Sequence, residues 1–200
     1  MANTLLIGSN NPHKVEEMRE IVETQGMIKV LMPSDVLDFP TDIPETGTTL
    51  EENAYLKASA IYETTLHTCL SDDTGLEVDA LNGAPGVYAA RYAGEGASYA
   101  ENRTKLLDAL KGVPAEKRTA RFRTVMCYHD ALRMMFVEGV CEGRISAEER
   151  GAGGFGYDCI FIPDGFSQTF AELSPEEKHR VSHRGRALQA FQQLFADLQK

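Results

Sequence analysis

Between Ser71 and Gly94 the chain reads SDDTGLEVDALNGAPGVYAARYAG, and this stretch limits the possible folds more than any other. The Cys69-Leu70 pair just before it has the character of the end of a buried strand. Two adjacent carboxylates, Asp72 and Asp73, then meet Thr74-Gly75, a combination that stops a strand and turns the chain. In open α/β folds a strand end of this kind is where sites collect. Leu76, Val78 and Ala80 alternate with Glu77 and Asp79, the period of a short half-buried strand. Gly83, Pro85 and Gly86 follow, then Tyr88 and Tyr92 on either side of Arg91. Neighbouring side chains of a strand point to opposite faces, so the two acids can share a site only where the strand has broken. The expected turn sets Asp73 at the strand end, facing a cleft, and leaves Asp72 to accept backbone hydrogen bonds. A solvated acidic turn is the plain alternative; paired acids there also suit metal binding or acid–base work.

The chain has 200 residues, enough for one substantial core within a single domain spanning residues 1–200. It is 42% hydrophobic and 25% charged, the composition of a soluble globular protein. A formal net charge of −10 argues against nucleic acid as a partner, since phosphate-backbone binding needs a basic surface. A small phosphorylated substrate needs only a few local cations. Cys69, Cys127, Cys141 and Cys159 show no Cys-x-x-Cys spacing and read as reduced thiols of a cytoplasmic protein. The start, MANTLLIGSN, lacks the pattern of a signal peptide, and no run has the length of a membrane span.

Thr4 to Gly8 predicts a buried strand, followed by a polar loop, Ser9 to Lys14, and by Val15, Met18, Ile21 and Val22 at helical spacing. A helix start offers free N–H groups and a favourable dipole to an anion. Lys14 opposes that dipole, which a bound anion would explain; capping by Ser9 or an asparagine is the common alternative. Ile28 to Met32 predicts a second strand. A proline-bearing loop from Pro33 to Thr49 carries Glu45-Thr-Gly47 near its end, and Leu50 to about Thr65 predicts a helix bearing Lys57. Ser98 to Leu110 predicts a helix with Ala100, Leu106, Leu107 and Leu110 on its apolar side. Ala120–Tyr128 and Arg133–Ile145 predict a two-stranded ribbon turning at His129 to Leu132. His67 and His129 lack metal-ligand spacing. Gly151 to Asp158 packs four glycines around Phe155 and Tyr157. Such glycines let backbone approach a ligand, the two rings can stack on a base, and Asp158 can accept from a ring N–H or cap a turn. Ser182 predicts an N-cap, with His183, Arg184 and Arg186 at a helix start and Leu188, Phe191, Leu194, Phe195 and Leu198 along one face. Two cationic helix starts, a carboxylate turn and a Gly-aromatic loop fit a metal-assisted phosphate site beside a ring pocket.

The motifs SNNPHKVEEM, ETGTTLEENAYLKA, SDDTGLEVDALNGAPGVYAARYAG, GGFGYD and KHRVSHRGRAL stand in this order over nearly the whole chain. Together they resemble the inosine triphosphate pyrophosphatase family, whose members clear deaminated purine nucleoside triphosphates. Thr74 stands where serine is more usual, Cys159 where proline is usual and His179 where asparagine is frequent; none of these removes a group assigned to chemistry. The resemblance implies an α/β fold with a long mixed central sheet and flanking helices, two lobes around a nucleotide-binding cleft, and a homodimer. It implies Mg²⁺-dependent hydrolysis between the α and β phosphates. Carried over residue by residue, Ser9, Asn10, Asn11, Pro12, His13, Lys14, Lys57 and Lys178 match phosphate-binding positions. Asp73 matches the general base and metal ligand, and Glu45 an acidic position near the metal. Thr74, Phe155, Gly156, Tyr157, Asp158, His183 and Arg184 match substrate-binding positions, with Arg184 at the purine 6-position. A pyrophosphatase for other modified nucleotides and a non-catalytic nucleotide sensor are the alternatives. The sensor would not need Asp73 and a metal site.

Overall fold

In the computed structural model, residues 4–23 and 28–198 are described. The described elements form an α/β fold with one mixed sheet in the order β2-β1-β3-β5-β6-β7, to which β4 adds on β3. The strands are β1 (Thr4–Gly8), β2 (Lys29–Leu31), β3 (Cys69–Val78), β4 (Pro85–Gly86), β5 (Thr119–His129), β6 (Met134–Ile145) and β7 (Phe161–Pro163). The helices are α1 (Pro12–Glu23), α2 (Leu50–Thr65), α3 (Tyr99–Ala109), α4 (Pro175–Val181) and α5 (His183–Leu198). β1 runs parallel to β2 and β3, while the β3–β4 and β6–β7 pairs are antiparallel.

The chain divides into two compact units. The first takes the residues up to Asp73, Thr124–Gly139 and everything from Arg184. Its core joins Leu5, Ile7, Val15, Met18, Val22 and Leu70 to Met126, Tyr128, Ala187, Leu188, Phe191 and Phe195. The α5 face expected from spacing is therefore buried at Leu188, Phe191 and Phe195; Leu194 is half-buried, and the Leu198 side chain lies outside the described residues. The second unit takes Thr74–Arg123 and Val140–His183. Its core includes Leu76, Val78, Leu106, Leu110, Phe122, Phe161 and Phe170.

Three expectations change. The strand does not break at Ser71–Gly75: β3 runs unbroken through Asp72, Asp73, Thr74 and Gly75. Residues on both of its faces are buried, so pairing and packing outweigh the turn preference of Thr-Gly. Asp73 thus stands inside a strand, not at its end. On α3 the buried polar residue Asn102 takes the inner face expected of Ala100, which is exposed. Asn102 accepts from the Ala93 N–H at 2.7 Å and donates to the Ala90 carbonyl at 2.9 Å. Helix α4, unforeseen, is capped by Ser174, whose hydroxyl accepts from Glu177 N–H, while the Glu177 carboxylate reaches back to Ser174 N–H. This reciprocal cap and Pro175 at the first helical position are its local sequence signal.

Candidate functional site

In the first unit the alternation of β3 separates the two acids. Asp72 is fully buried and reaches Lys14 Nζ at 3.0 Å and Arg184 at 3.8 Å. Backbone hydrogen bonds were expected of it; these two cations were not foreseen. The guanidinium of Arg184 also pairs closely with Glu17 on α1. Burial acts to raise the Asp72 pKa, but Lys14, Arg184 and Lys57 outweigh it and hold the carboxyl well below the usual range. Lys14 is thus gathered to a carboxylate at the start of α1, which accounts for a cation where the dipole disfavours one.

Asp73, on the other face, meets α2. Its Oδ1 lies 3.3 Å from Lys57 Nζ, which also reaches Glu45 Oε1 at 2.8 Å. Its Oδ2 accepts from Asn53 Nδ2 at 3.1 Å. Burial pushes the Asp73 carboxyl up, and Glu45 adds to this against the pull of Lys57 and Lys14. Burial works to lower the Lys57 pKa, but Asp73, Asp72 and Glu45 more than offset it, so Lys57 stays an ammonium. Helix α2, which carries Asn53 and Lys57, is capped reciprocally by Thr49 and Glu52. Asn53 and Lys57 share one helix face, four residues apart.

The loop Ser9 to Lys14 is built largely by its own side chains. Asn11 Oδ1 accepts from the His13 and Lys14 N–H groups, capping α1. Ser9 Oγ accepts from Asn11 N–H at 3.3 Å. Asn10 donates to the Pro40 and Thr41 carbonyls. Pro12 opens the helix, and His13 is exposed.

In the second unit the Gly-aromatic loop surrounds Asp158. That buried carboxylate accepts from Phe155 N–H at 2.8 Å and from Lys178 Nζ at 2.8 Å. The Lys178 ammonium stands 5.3 Å from the centre of the Phe155 ring. Gly156 has φ +60°, and its carbonyl accepts from Arg103 at 2.9 Å. Tyr157 does not present its ring for stacking: it packs in the core and its hydroxyl donates to the Ala89 carbonyl at 2.8 Å. Phe155 is the half-buried aromatic of the loop. His183 is buried and stacked on Phe122, with centroids 4.5 Å apart. Thr74 is half-buried on β3.

The structure therefore gathers Lys14, Asp72 and Arg184, and beside them Glu45, Lys57 and Asp73, in the first unit. Phe155, Asp158 and Lys178 are gathered in the second. Sequence reading passed over Asn53; its signal was a polar residue among Ala54, Ala58 and Ile61 on the buried face of α2. No group of three His, Cys, Asp or Glu side chains suited to a metal occurs among the described residues. Mg²⁺ needs less, binding through one or two carboxylates plus waters and substrate phosphates. Glu45 and Asp73 fit that need, because they converge on one cation, the Lys57 ammonium.

The site's carboxylates and lysines lie on an α/β fold that the chain shares with known proteins over nearly its whole length. The Ham1 family profile matches residues 5–194, and the chain belongs to that family. The "dITP/XTP pyrophosphatase" of Porphyromonas gingivalis is 47% identical over 92% of this chain and 93% of its own length. That of Bacillus subtilis is 44% identical over 95% and 96% respectively. A HAM1 protein from Coxiella burnetii superposes with a TM-score of 0.86 at 38% identity, covering 98% of this chain and 99% of that one. The resemblance read from the motifs is borne out at the level of family and fold.

Proposed function

We propose that the chain hydrolyses inosine, deoxyinosine and xanthosine triphosphates to the nucleoside monophosphate and pyrophosphate, with Mg²⁺ as cofactor. The names of the relatives support the substrate class. The observation that carries the chemistry is the Glu45–Lys57–Asp73 cluster, a buried carboxylate with a raised pKa held between a lysine and an asparagine. A general base works best with a pKa near the operating pH, and burial moves Asp73 in that direction. Asp73 would take a proton from the water that attacks the α phosphorus. Lys14 and Lys57 would offset charge that develops on the departing pyrophosphate. Asp73 and Glu45 would hold Mg²⁺, which supplies Lewis-acid polarisation of phosphate oxygens. Asp72 would hold Lys14 and Arg184 in place.

Phe155 would stack on the base, adding affinity without choice. Arg184 carries only donors, so it would favour the 6-oxygen of hypoxanthine and xanthine over the amino group of adenine. Its pairing with Glu17 and Asp72 makes phosphate binding the competing role. Arg184→Met separates the two. A base reader loses inosine triphosphate turnover much more than adenosine triphosphate turnover; equal loss assigns Arg184 to phosphate.

The reaction itself is tested with inosine triphosphate in ¹⁸O-water, with Mg²⁺ and with a chelator. Label is expected in the monophosphate, none in pyrophosphate, and turnover only with metal. Orthophosphate and a diphosphate as products would refute the reading. The same reading expects a cytoplasmic protein that is a homodimer, and light scattering of the purified protein tests the dimer.

A further inference from the structure

Two hydrogen bonds pass through one side chain to which no role has been given. Asn53 is fully buried on α2, one turn before Lys57. Its Nδ2 donates to Asp73 Oδ2 at 3.1 Å, and its Oδ1 accepts from Gly47 N–H at 2.8 Å. The amide has one workable orientation. A carboxylate takes only donors and an N–H only acceptors, so the flipped amide would set like against like at both ends. One end of Asn53 therefore holds the carboxylate of Asp73. The other holds the loop that carries Glu45, two residues before Gly47. The contact with that loop is tight: a Cβ at Gly47 would come within 2.7 Å of Asn53 Oδ1 and 2.6 Å of Glu52 Cβ.

The terminal torsion of an aspartate is broad. Lys57 cannot fix it, because an ammonium is a point charge that donates in many directions. A planar amide donates in few. With Oδ2 bound to Asn53, Oδ1 is the oxygen that meets Lys57, which also holds Glu45. We infer that Asn53 is a positioning residue for the hydrolytic reaction, setting the carboxylate plane of Asp73 and its register with Glu45. This rests on the pyrophosphatase reading above. A group that orients a carboxylate without touching substrate acts on turnover and metal affinity more than on substrate binding; outer partners of this kind are commonly worth ~10–100-fold.

Two variants test it. Asn53→Leu removes both bonds at similar volume. Asn53→Asp keeps an acceptor for Gly47 N–H but replaces the donor to Asp73 with a second carboxylate. With inosine triphosphate, Asn53→Leu is expected to lower kcat by ~10–100-fold while KM stays within about threefold. Mn²⁺ binding without nucleotide, followed by electron paramagnetic resonance, is expected to weaken by about tenfold. Asn53→Asp is expected to lower kcat at least as far as Asn53→Leu, because it restores the acceptor for Gly47 N–H but not the donor to Asp73. A folded Asn53→Leu protein with kcat and Mn²⁺ affinity within about twofold of the unmodified protein overturns the inference. Should Asn53→Leu fail to fold, Asn53→Asp decides: reduced kcat at unchanged KM supports the role, and full kcat ends it. Failure of the unmodified protein to release pyrophosphate would instead count against the proposed reaction, leaving the Mn²⁺ comparison to judge Asn53.

Discussion

Asp72 and Asp73 are one peptide bond apart, yet their surroundings shift them in opposite directions. The Asp72 pKa is depressed in the folded state, so the unfolded chain takes up its proton first as pH falls. Its contribution to stability is present above the ordinary carboxylate range and is lost as pH falls through the lower folded value. Asp73 is raised, so its contribution is present below the ordinary range and is lost as pH rises through the folded value. The two asparagine variants should therefore diverge. Asp72→Asn leaves Lys14 and Arg184 less compensated in a buried place and should cost about 3–5 kcal/mol at neutral pH. Asp73→Asn removes a carboxylate whose charged form the site disfavours. It should melt higher than the unmodified protein at pH 7–8 and little differently near pH 4, while turnover falls ~10²–10⁴-fold or more. Thermal melts from pH 3 to 8 beside rate measurements check both signs; an Asp73→Asn protein that melts lower at pH 7 contradicts the argument. Strand alternation foretold that these neighbours could not share a face. What Asp72 would meet was not legible, because Lys14 and Arg184 come from helices remote in sequence.

The two glycines flanking Phe155 show what a loop requires of single positions. Gly154 and Gly156 both have positive φ, +68° and +60°. A Cβ at Gly154 would lie 2.1 Å from Asp158 Oδ2, whereas one at Gly156 would meet nothing within 4 Å. Gly156→Ala should therefore cost only the left-handed backbone term, ~1–2 kcal/mol. Gly154→Ala bears the same strain and also pushes the Asp158 carboxylate from Lys178 and Phe155 N–H, adding ~1–3 kcal/mol. Denaturant unfolding of the pair measures the gap, and equal losses would show that Asp158 yields freely. Elements were legible in proportion to their local signals. Helix α2 was expected from Leu50 to about Thr65 and occupies those residues, since a cap and a long periodic face agree. Helix α4 was missed because seven mostly charged residues offer almost no apolar period. Helix α5 was foreseen, but the partners of His183 and Arg184 are set by tertiary packing.

At the scale of the whole molecule, the division into two units cuts the chain four times, at Asp73/Thr74, Arg123/Thr124, Gly139/Val140 and His183/Arg184. Three of these points fall inside β3, β5 and β6. The motifs could reveal the family and the class of fold, but not this interleaving, because hydrophobic periodicity describes single elements and is silent on which of them share a core. The interleaving sets what a fragment can do. A chain ending at Asp73 retains β1, α1, β2 and α2, a plausible small α/β piece by sequence alone. Of the first unit's core it keeps Leu5, Ile7, Val15, Met18, Val22 and Leu70, and loses Met126, Tyr128, Ala187, Leu188, Phe191 and Phe195. The lost half includes every aromatic ring of that core. The helices left behind have 12 and 16 residues, close to the length at which isolated helices are marginal in water. Their apolar faces would be left without part of their cover, and burial of such faces is what offsets chain entropy. Lys14 and Asp72 would remain, but without Arg184 their ion pair loses its second cation. The fragment 1–73 should therefore give a disordered circular dichroism spectrum and poorly dispersed amide resonances, despite holding Glu45, Asn53, Lys57 and Asp73. A dispersed, cooperative fragment would mean that the first stretch folds without the strand and helix supplied from the far end of the chain.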